Sequence, residues 1–276
     1  MRIVTLIENT SGCPGCACEH GLSFYIETGK HKVLADTGAS SAFLDNARIL
    51  GIDLQQVDTV VISHGHYDHA GGVMDFAKLN PQARIYLQRS AGGAFYHLKE
   101  AGDKYVGMDS RILKLPQLCL TEGELTLDEE LFLFSGICGR RLWPEGNRKL
   151  KRKENGVYFQ DTFDHEQCLV VSQENRRALI SGCAHNGILN ILERFQEVCG
   201  GKPDVVISGF HMKKEGEYTR QELEDIRETA ILLKETGILF YTGHCTGQRA
   251  FDEMKEIMGE KLKSLHSGQE LKEENL

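Results

Sequence analysis

HGHYDHAGG, residues 64–72, is the stretch from which the rest of the chain can be read. It sets His64, His66, Asp68 and His69 within six positions, a combination that chance gives a chain of this composition on the order of once in a thousand. Imidazole and carboxylate are the ligand types of zinc and its neighbouring divalent cations. Histidines two apart on extended backbone project to the same side, so His64 and His66 can address one point while Asp68 and His69 turn toward another. Gly65 removes bulk beside them, and Gly71-Gly72 lets the chain pass tightly into a following helix. Two neighbouring cation sites are expected. The plainer reading, a polar surface turn, does not account for four ligand-type residues at these offsets.

Residues 59–62, just upstream, form a short apolar run, and the same unit recurs: an apolar strand, then a turn with Gly and a ligand-type residue. Residues 177–180 lead into Ser181-Gly182-Cys183-Ala184-His185, residues 204–207 into Ser208-Gly209-Phe210-His211, and residues 238–241 into Thr242-Gly243-His244-Cys245. Strand ends on one side of a sheet lie close in space however far apart they are in sequence, so these histidines can converge. A first strand is expected at 3–7. Hairpins are expected from 22–26 with 32–34 and from 168–171 with 178–180. Thr219 with Glu222 makes a capping box ahead of Leu223, Ile226, Ala230 and Leu233, and Gly237 stops that helix. Helices are also expected at 187–198 and 248–258. Residues 136–161 have little periodicity and read as a long loop inserted in one domain spanning 1–276.

Composition narrows the classes. With 276 residues, 41% hydrophobic and 26% charged, the chain can bury a sizeable core, and no apolar run is long enough for a membrane span. The N-terminal segment lacks the apolar core and cleavage site of a signal peptide, and nine cysteines are an odd number for a disulfide framework. A cytoplasmic protein with reduced thiols is the expectation. A net charge of −8 disfavours nucleic acid and acidic membranes as partners and leaves a small-molecule substrate; oligomeric state is not readable.

The hexapeptide at 64–69 with Ala70-Gly71-Gly72 resembles the signature of the metallo-β-lactamase superfamily. That resemblance implies an α/β fold, an αββα four-layer sandwich of two mixed, mostly antiparallel sheets flanked by helices. It also implies two divalent metal ions, zinc first among candidates with manganese, iron or nickel as others. On the family pattern His64 and His66 serve one ion and Asp68 and His69 the second. His185 is the expected remaining ligand of the first, and Gly243-His244 corresponds to the family's final ligand. Residues 33–38, Val-Leu-Ala-Asp-Thr-Gly, look like the family's second strand, whose aspartate, here Asp36, buttresses the metals from behind. Two departures stand out. The usual bridging Asp of a Gly-Asp pair is replaced by Gly182-Cys183, so Cys183 either coordinates or packs as a small apolar residue. The usual Gly-His-Thr is missing between 69 and 180. Glu8-Asn9-Thr10, residues 19–23, 182–185, 209–211 and 242–247 together look like the dihydropterin-aminobenzene phosphate synthase-like branch.

A dinuclear site activates water without a protein nucleophile, so the first functional expectation is a metal-dependent hydrolase acting on an ester, phosphoester or amide-type bond. A transferase displacing pyrophosphate, as the branch name implies, is the second. A non-enzymatic metal or redox sensor built on Cys13, Cys16 and Cys18 is the third. Asp68 and His211 are the catalytic candidates, His211 either as a further ligand or as a substrate contact. His20 is a candidate pocket residue, with a solvated histidine as the alternative. Arg140, Arg141 and Arg148 belong to a basic run in an acidic chain and are candidates for gripping an anionic substrate, against the reading of a solvated loop. His31, His97, His165 and His266 have no comparable setting and read as surface residues.

Overall fold

The computed structural model describes residues 1–271. One seven-stranded sheet runs in the order Glu270–Leu271, Arg2–Ile7, Ser23–Glu27, Lys32–Ala35, Thr59–Ile62, Arg84–Gln88, Leu118–Thr121. The other runs Leu262–Ser264, Leu239–Thr242, Val205–Ser208, Arg176–Ser181, Cys168–Gln173, Leu131–Phe134, Glu124–Thr126. Both expected hairpins form, with Tyr25 opposite Leu34 and Val170 opposite Leu179.

Each sheet is antiparallel at one side and parallel at the other. The sheets are thus mixed, as expected, with a larger parallel share than hairpin signals alone suggest. Helices cause this, because a parallel neighbour needs a crossover connection. Ala42–Ile49 and Val73–Leu79 carry the chain between parallel strands of the first sheet, and Ile188–Cys199, Arg220–Thr236 and Gln248–Met258 do so in the second. Central parallel strands are covered on both faces, which is why Thr59–Ile62 and Val205–Ser208 are buried at every residue. The capping box at Thr219 and the left-handed Gly237 bound their helix as its sequence demands.

Three apolar clusters define the layers. Phe24, Ile26, Val33 and Val61 from one sheet meet Leu133, Leu169, Ile180 and Ile207 from the other. Phe43, Ala47, Val73 and Phe76 pack helices on the outer face of the first sheet. Ile191, Phe195, Ala230, Leu233 and Met254 do so on the second. The result is the αββα order.

Residues 136–161 depart from the loop expectation. They hold a 3-10 turn, Glu145–Lys149, and a hairpin of Leu150–Glu154 with Val157–Gln160 that joins Phe95–His97 and Lys104–Tyr105 in a small antiparallel sheet. The hairpin strands bury only Leu150, so backbone pairing rather than apolar alternation makes them, and no period marks them in the sequence. Among the described residues no helix is long and apolar enough to cross a membrane.

Candidate metal centre

The ligand candidates sit just past the C-terminal ends of parallel strands. Asp36 follows Lys32–Ala35, His64 follows Thr59–Ile62, Cys183 and His185 follow Arg176–Ser181, His211 follows Val205–Ser208, and His244 follows Leu239–Thr242. His66 precedes the short helix Tyr67–Ala70 that carries Asp68 and His69. Asp36, Ala184, His211 and His244 all take positive φ, at 57°, 52°, 49° and 50°. Non-glycine residues in that region cost energy that the surroundings must offset, and they gather at functional sites.

These turns place the rings in one cluster. His64 lies 4.6 Å from His66, 4.2 Å from His69 and 4.8 Å from His185, centroid to centroid. His66 and His185 are 4.9 Å apart, and His69 and His244 5.0 Å. Asp68 Oδ2 is 3.3 Å from His244 Nε2 and 4.0 Å from His69 Nε2. His20, more exposed, stacks on His244 at 4.6 Å with Nε2 3.3 Å from Asp68 Oδ2. His211 lies 4.1 Å from His185. Thus the structure brings together His64, His66, Asp68, His69, His185, His244, His211 and His20, with Asp36 behind them.

Hydrogen bonds from behind decide which nitrogen each ring offers. Asp36 Oδ2 accepts from His69 Nδ1 at 2.6 Å and from the Ser63 hydroxyl at 2.8 Å. With its one proton given to Asp36, Ser63 Oγ accepts from His64 Nδ1 at 2.9 Å. His185 Nδ1 donates to Asn147 Oδ1 at 3.0 Å, the Asn147 amide being spent on the His185 carbonyl at 2.7 Å. His244 Nδ1 donates to Asn9 Oδ1 at 3.0 Å, while Asn9 Nδ2 donates to the His244 carbonyl. With the proton on Nδ1, His64 and His185 turn a bare Nε2 lone pair inward, the tautomer a cation needs, and His69 and His244 reach the same form when Nε2 gives up the proton it holds toward Asp68. Close approach at Gly182 makes this possible, since a Cβ there would lie 2.1 Å from Ser63 Oγ.

Whether a cation fits can be judged from what those lone pairs face. The Nε2 atoms of His64, His66 and His185 are buried without any hydrogen-bond partner. His69 Nε2 faces only Cys183 Sγ at 3.1 Å, His244 Nε2 at 3.3 Å and Asp68. Leaving so many acceptors unmatched in the interior is costly unless something positive lies between them. The residues fit the binding of divalent metal.

Electrostatics divide the rings into two sets. Burial, with neighbouring histidines adding to it, pushes His64 and His185 well below the ordinary imidazole range and His66 down to about 3, so all three are neutral at physiological pH. Burial alone would raise the Asp68 carboxyl, but the His244 hydrogen bond and nearby imidazoles hold it far below the usual carboxylate range. Burial would lower His69, yet Asp36 draws it up to about 9. A cation at Nε2 competes with that second proton.

Several supports have no role assigned to them by the sequence, although Glu8 lies in a segment that carries the family resemblance. Buried Glu166 accepts from the backbone N–H of His185 at 2.7 Å and of Asn186 at 3.0 Å, fixing the turn that presents His185. Glu8 Oε1 accepts from the His244 backbone at 2.6 Å. Phe163 stacks on His185 at 4.4 Å and parallel to it. His165 is a correction: it is buried beside His66, with Nδ1 accepting from Gly65 N–H and Nε2 3.2 Å from Asp161 Oδ2. Nothing in its local sequence announces this, since Asp161 and His165 reach the site only through the folding of the loop before them.

The basic run is placed differently. Arg140 is spent on the carbonyls of Ile137, Gly139 and Thr162 and on Asn186 Oδ1, so it holds the loop together. Arg141 and Arg148 are exposed, each with one carboxylate partner, Glu193 at 3.9 Å and Glu145 at 2.5 Å. The loop nonetheless borders the centre through Asn147 and through Gly146, whose Cβ position is 3.4 Å from His211 Nε2. Cys13, Cys16 and Cys18 do not converge with histidine or acid groups into a ligand set among the described residues.

Comparison with known proteins agrees with this architecture. Residues 17–143 match the family model of the metallo-β-lactamase superfamily. The chain is 29% identical, over 99% of its length and 96% of the relative's, to the 7,8-dihydropterin-6-methyl-4-(β-D-ribofuranosyl)-aminobenzene-5'-phosphate synthase of Methanocaldococcus jannaschii. It is 33% identical to the solved structure of a metal-dependent hydrolase of the β-lactamase superfamily, covering 99% of this chain and 98% of that one with a TM-score of 0.81. Zinc-bound PqqB from Methylobacterium extorquens, 12% identical over 99% of this chain and 100% of its own with a TM-score of 0.58, shares the fold. With its histidine-aspartate cluster at the strand ends of an αββα sandwich, the chain belongs to the metallo-β-lactamase superfamily.

Proposed function

We propose that this protein is a metal-dependent hydrolase of a small anionic substrate, with His64, His66 and His185 holding one divalent cation and Asp68, His69 and His244 a second. The observation that carries this reading is the set of buried, partnerless Nε2 atoms on His64, His66 and His185, in one cluster with Asp68, His69 and His244. Zinc is the proposed metal, because mixed imidazole and carboxylate donors suit it and the PqqB neighbour of the same fold holds it. Such a cation pair supplies Lewis acidity, activating water near neutral pH and neutralising charge on the departing oxygen.

The chain's own residues do the rest. Asp36, Asn147 and Asn9 hold the ligand rings in their working tautomers. Phe163, stacked on His185 with Trp143 6.0 Å beyond it, gives that side of the centre an apolar lining. His211 keeps a buried, unpartnered Nδ1 beside the centre and is placed to give a proton to the leaving group. His20 lies at the exposed side against Asp68, where it can contact the substrate. Arg141 and Arg148 can exchange single exposed carboxylate partners for a substrate anion, whereas Arg140 acts by holding the loop.

The full-length similarity to the Methanocaldococcus synthase favours one second reading, a transferase in which the same residues bind a pyrophosphate leaving group while an incoming nucleophile displaces it. Both are tested together. Zinc-loaded protein is assayed against phosphoesters, thioesters and lactones, and in parallel for pyrophosphate release from a dihydropterin diphosphate with and without an aminobenzene phosphate acceptor. Turnover in the first panel that is abolished by His64→Ala supports the hydrolase; acceptor-dependent pyrophosphate release alone transfers the assignment to the synthase.

A further inference from the structure

Cys183 occupies an unusual place for a packing cysteine. It is 2% exposed, and Sγ is 3.1 Å from His69 Nε2. Its sulfur belongs to three convergent ligand groups: with His64 and His185, with His69 and His244, and with His211 and Cys245, all ligand atoms within 4.8 Å of one another in each group. Among the described residues it alone joins the His64–His185 pair to the His69–His244 pair. The turn that puts it there is specified: Gly182 passes against Ser63, the Gly182 carbonyl accepts from Gly209 N–H at 2.7 Å, and Ala184 takes positive φ so that Cys183 and His185 face the same volume.

An apolar packing role does not explain those neighbours. A neutral thiol has one proton and can satisfy one acceptor, yet the Nε2 atoms of His64 and His185 remain bare and buried around it. A thiolate between two cations turns the same arrangement into a satisfied one: each imidazole lone pair meets positive charge, and the sulfur meets it from both sides.

We propose that Cys183 is the shared ligand of the centre, its thiolate bridging the cation held by His64, His66 and His185 and the cation held by Asp68, His69 and His244. The inference rests on the two-cation reading above. Binding releases the thiol proton to solvent as the sulfur–metal bonds form, with no change of oxidation state. A thiolate in this position selects soft or borderline cations, so zinc is retained over magnesium or manganese. Neighbouring Cys245, whose Sγ is 3.6 Å from the Cys183 carbonyl and accepts from the His211 N–H at 3.3 Å, groups with His211 and with neither histidine pair, so it is not assigned as the bridge.

X-ray absorption at the zinc edge of the intact protein, loaded to its measured zinc capacity, tests this. A sulfur shell at about 2.3 Å is expected in wild type and in Cys245→Ser. Cobalt-loaded protein should show a matching near-ultraviolet thiolate charge-transfer band. Cys183→Asp should keep both metal equivalents but lose the sulfur shell and the band. Cys183→Ala should lower metal affinity by more than the roughly 10 to 100-fold typical of outer-sphere losses. Two zinc equivalents with only nitrogen and oxygen neighbours in wild type overturn the inference and leave the two-cation reading standing. Persistence of the sulfur shell in Cys183→Asp, or its loss in Cys245→Ser, also overturns it. Failure of wild type to bind zinc removes the underlying reading itself.

Discussion

Replacing Asp36 by Asn isolates what the carboxylate does, because asparagine keeps the volume and tolerates the φ of 57° that alanine would strain. Oδ1 accepts from Ser63 N–H at 2.7 Å, and Oδ2 accepts from both Ser63 Oγ and His69 Nδ1. An amide can keep one acceptor. If its oxygen stays on the Ser63 backbone, the NH2 group faces two donors; the hydroxyl can rotate away, but the imidazole is held. His69 then keeps a bond only by moving its proton to Nε2, the atom turned toward Asp68 and His244. A protonated Nε2 cannot ligate, so the loss falls on the cation assigned to His69. Outer-sphere carboxylates of this kind are worth about 10 to 100-fold in affinity, roughly 1.4 to 2.7 kcal/mol, and the tautomer change puts Asp36→Asn toward the upper end. Competition against a chromophoric chelator, resolving two zinc affinities, measures it, with thermal melts confirming a folded variant. If both affinities stay within about twofold of wild type, the account of how Asp36 acts is wrong.

His64→Ala and Asp68→Ala should each lower bound zinc and abolish turnover while the far-ultraviolet circular dichroism persists, because three apolar clusters and not the metals hold the sheets and helices; loss of that signal on chelation would make the metals structural. His31, bonded to Asp58 at 2.8 Å and Asp128 at 2.7 Å, has a raised pKa because these hydrogen bonds outweigh burial, which alone would lower it. Its contribution is therefore fully present below the ordinary value of 6.5 and is lost as pH rises through the raised one. In urea melts His31→Gln should cost more at about pH 5.5 than at about pH 9, and an equal or reversed cost would refute the sign. Replacing Arg141 and Arg148 together by Ala should raise KM for an anionic substrate far more than it lowers kcat, with an effect that weakens as salt rises; an unchanged KM returns both to the solvated surface.

The sequence carried the parts of the centre that short-range rules can see. His64, His66, Asp68 and His69 are dense enough to be read directly, and His185 and His244 follow from the repeated strand-and-turn unit that brings all six into one cluster. The supports were harder to see because each is tied to its ligand only by the fold. Asn147 reaches His185 across 38 positions, Asn9 reaches His244 across 235, and Glu166 reaches His185 by its backbone. His165 misled for the same reason. The hairpin in residues 150–160 stayed hidden because its partner, Phe95–His97, pays no sequence-local signal and its strands face solvent. Parallel pairing was underestimated where the sequence offered hairpins but gave no register for strands joined through helices.

Anomalous diffraction from crystals of zinc-loaded protein, recorded on both sides of the zinc edge, tests the central claim most directly. The account predicts two peaks about 3.5 to 4 Å apart, one bounded by His64, His66 and His185 and the other by Asp68, His69 and His244. A single peak, or zinc gathered at Cys13, Cys16 and Cys18 with the histidine cluster empty, would contradict it.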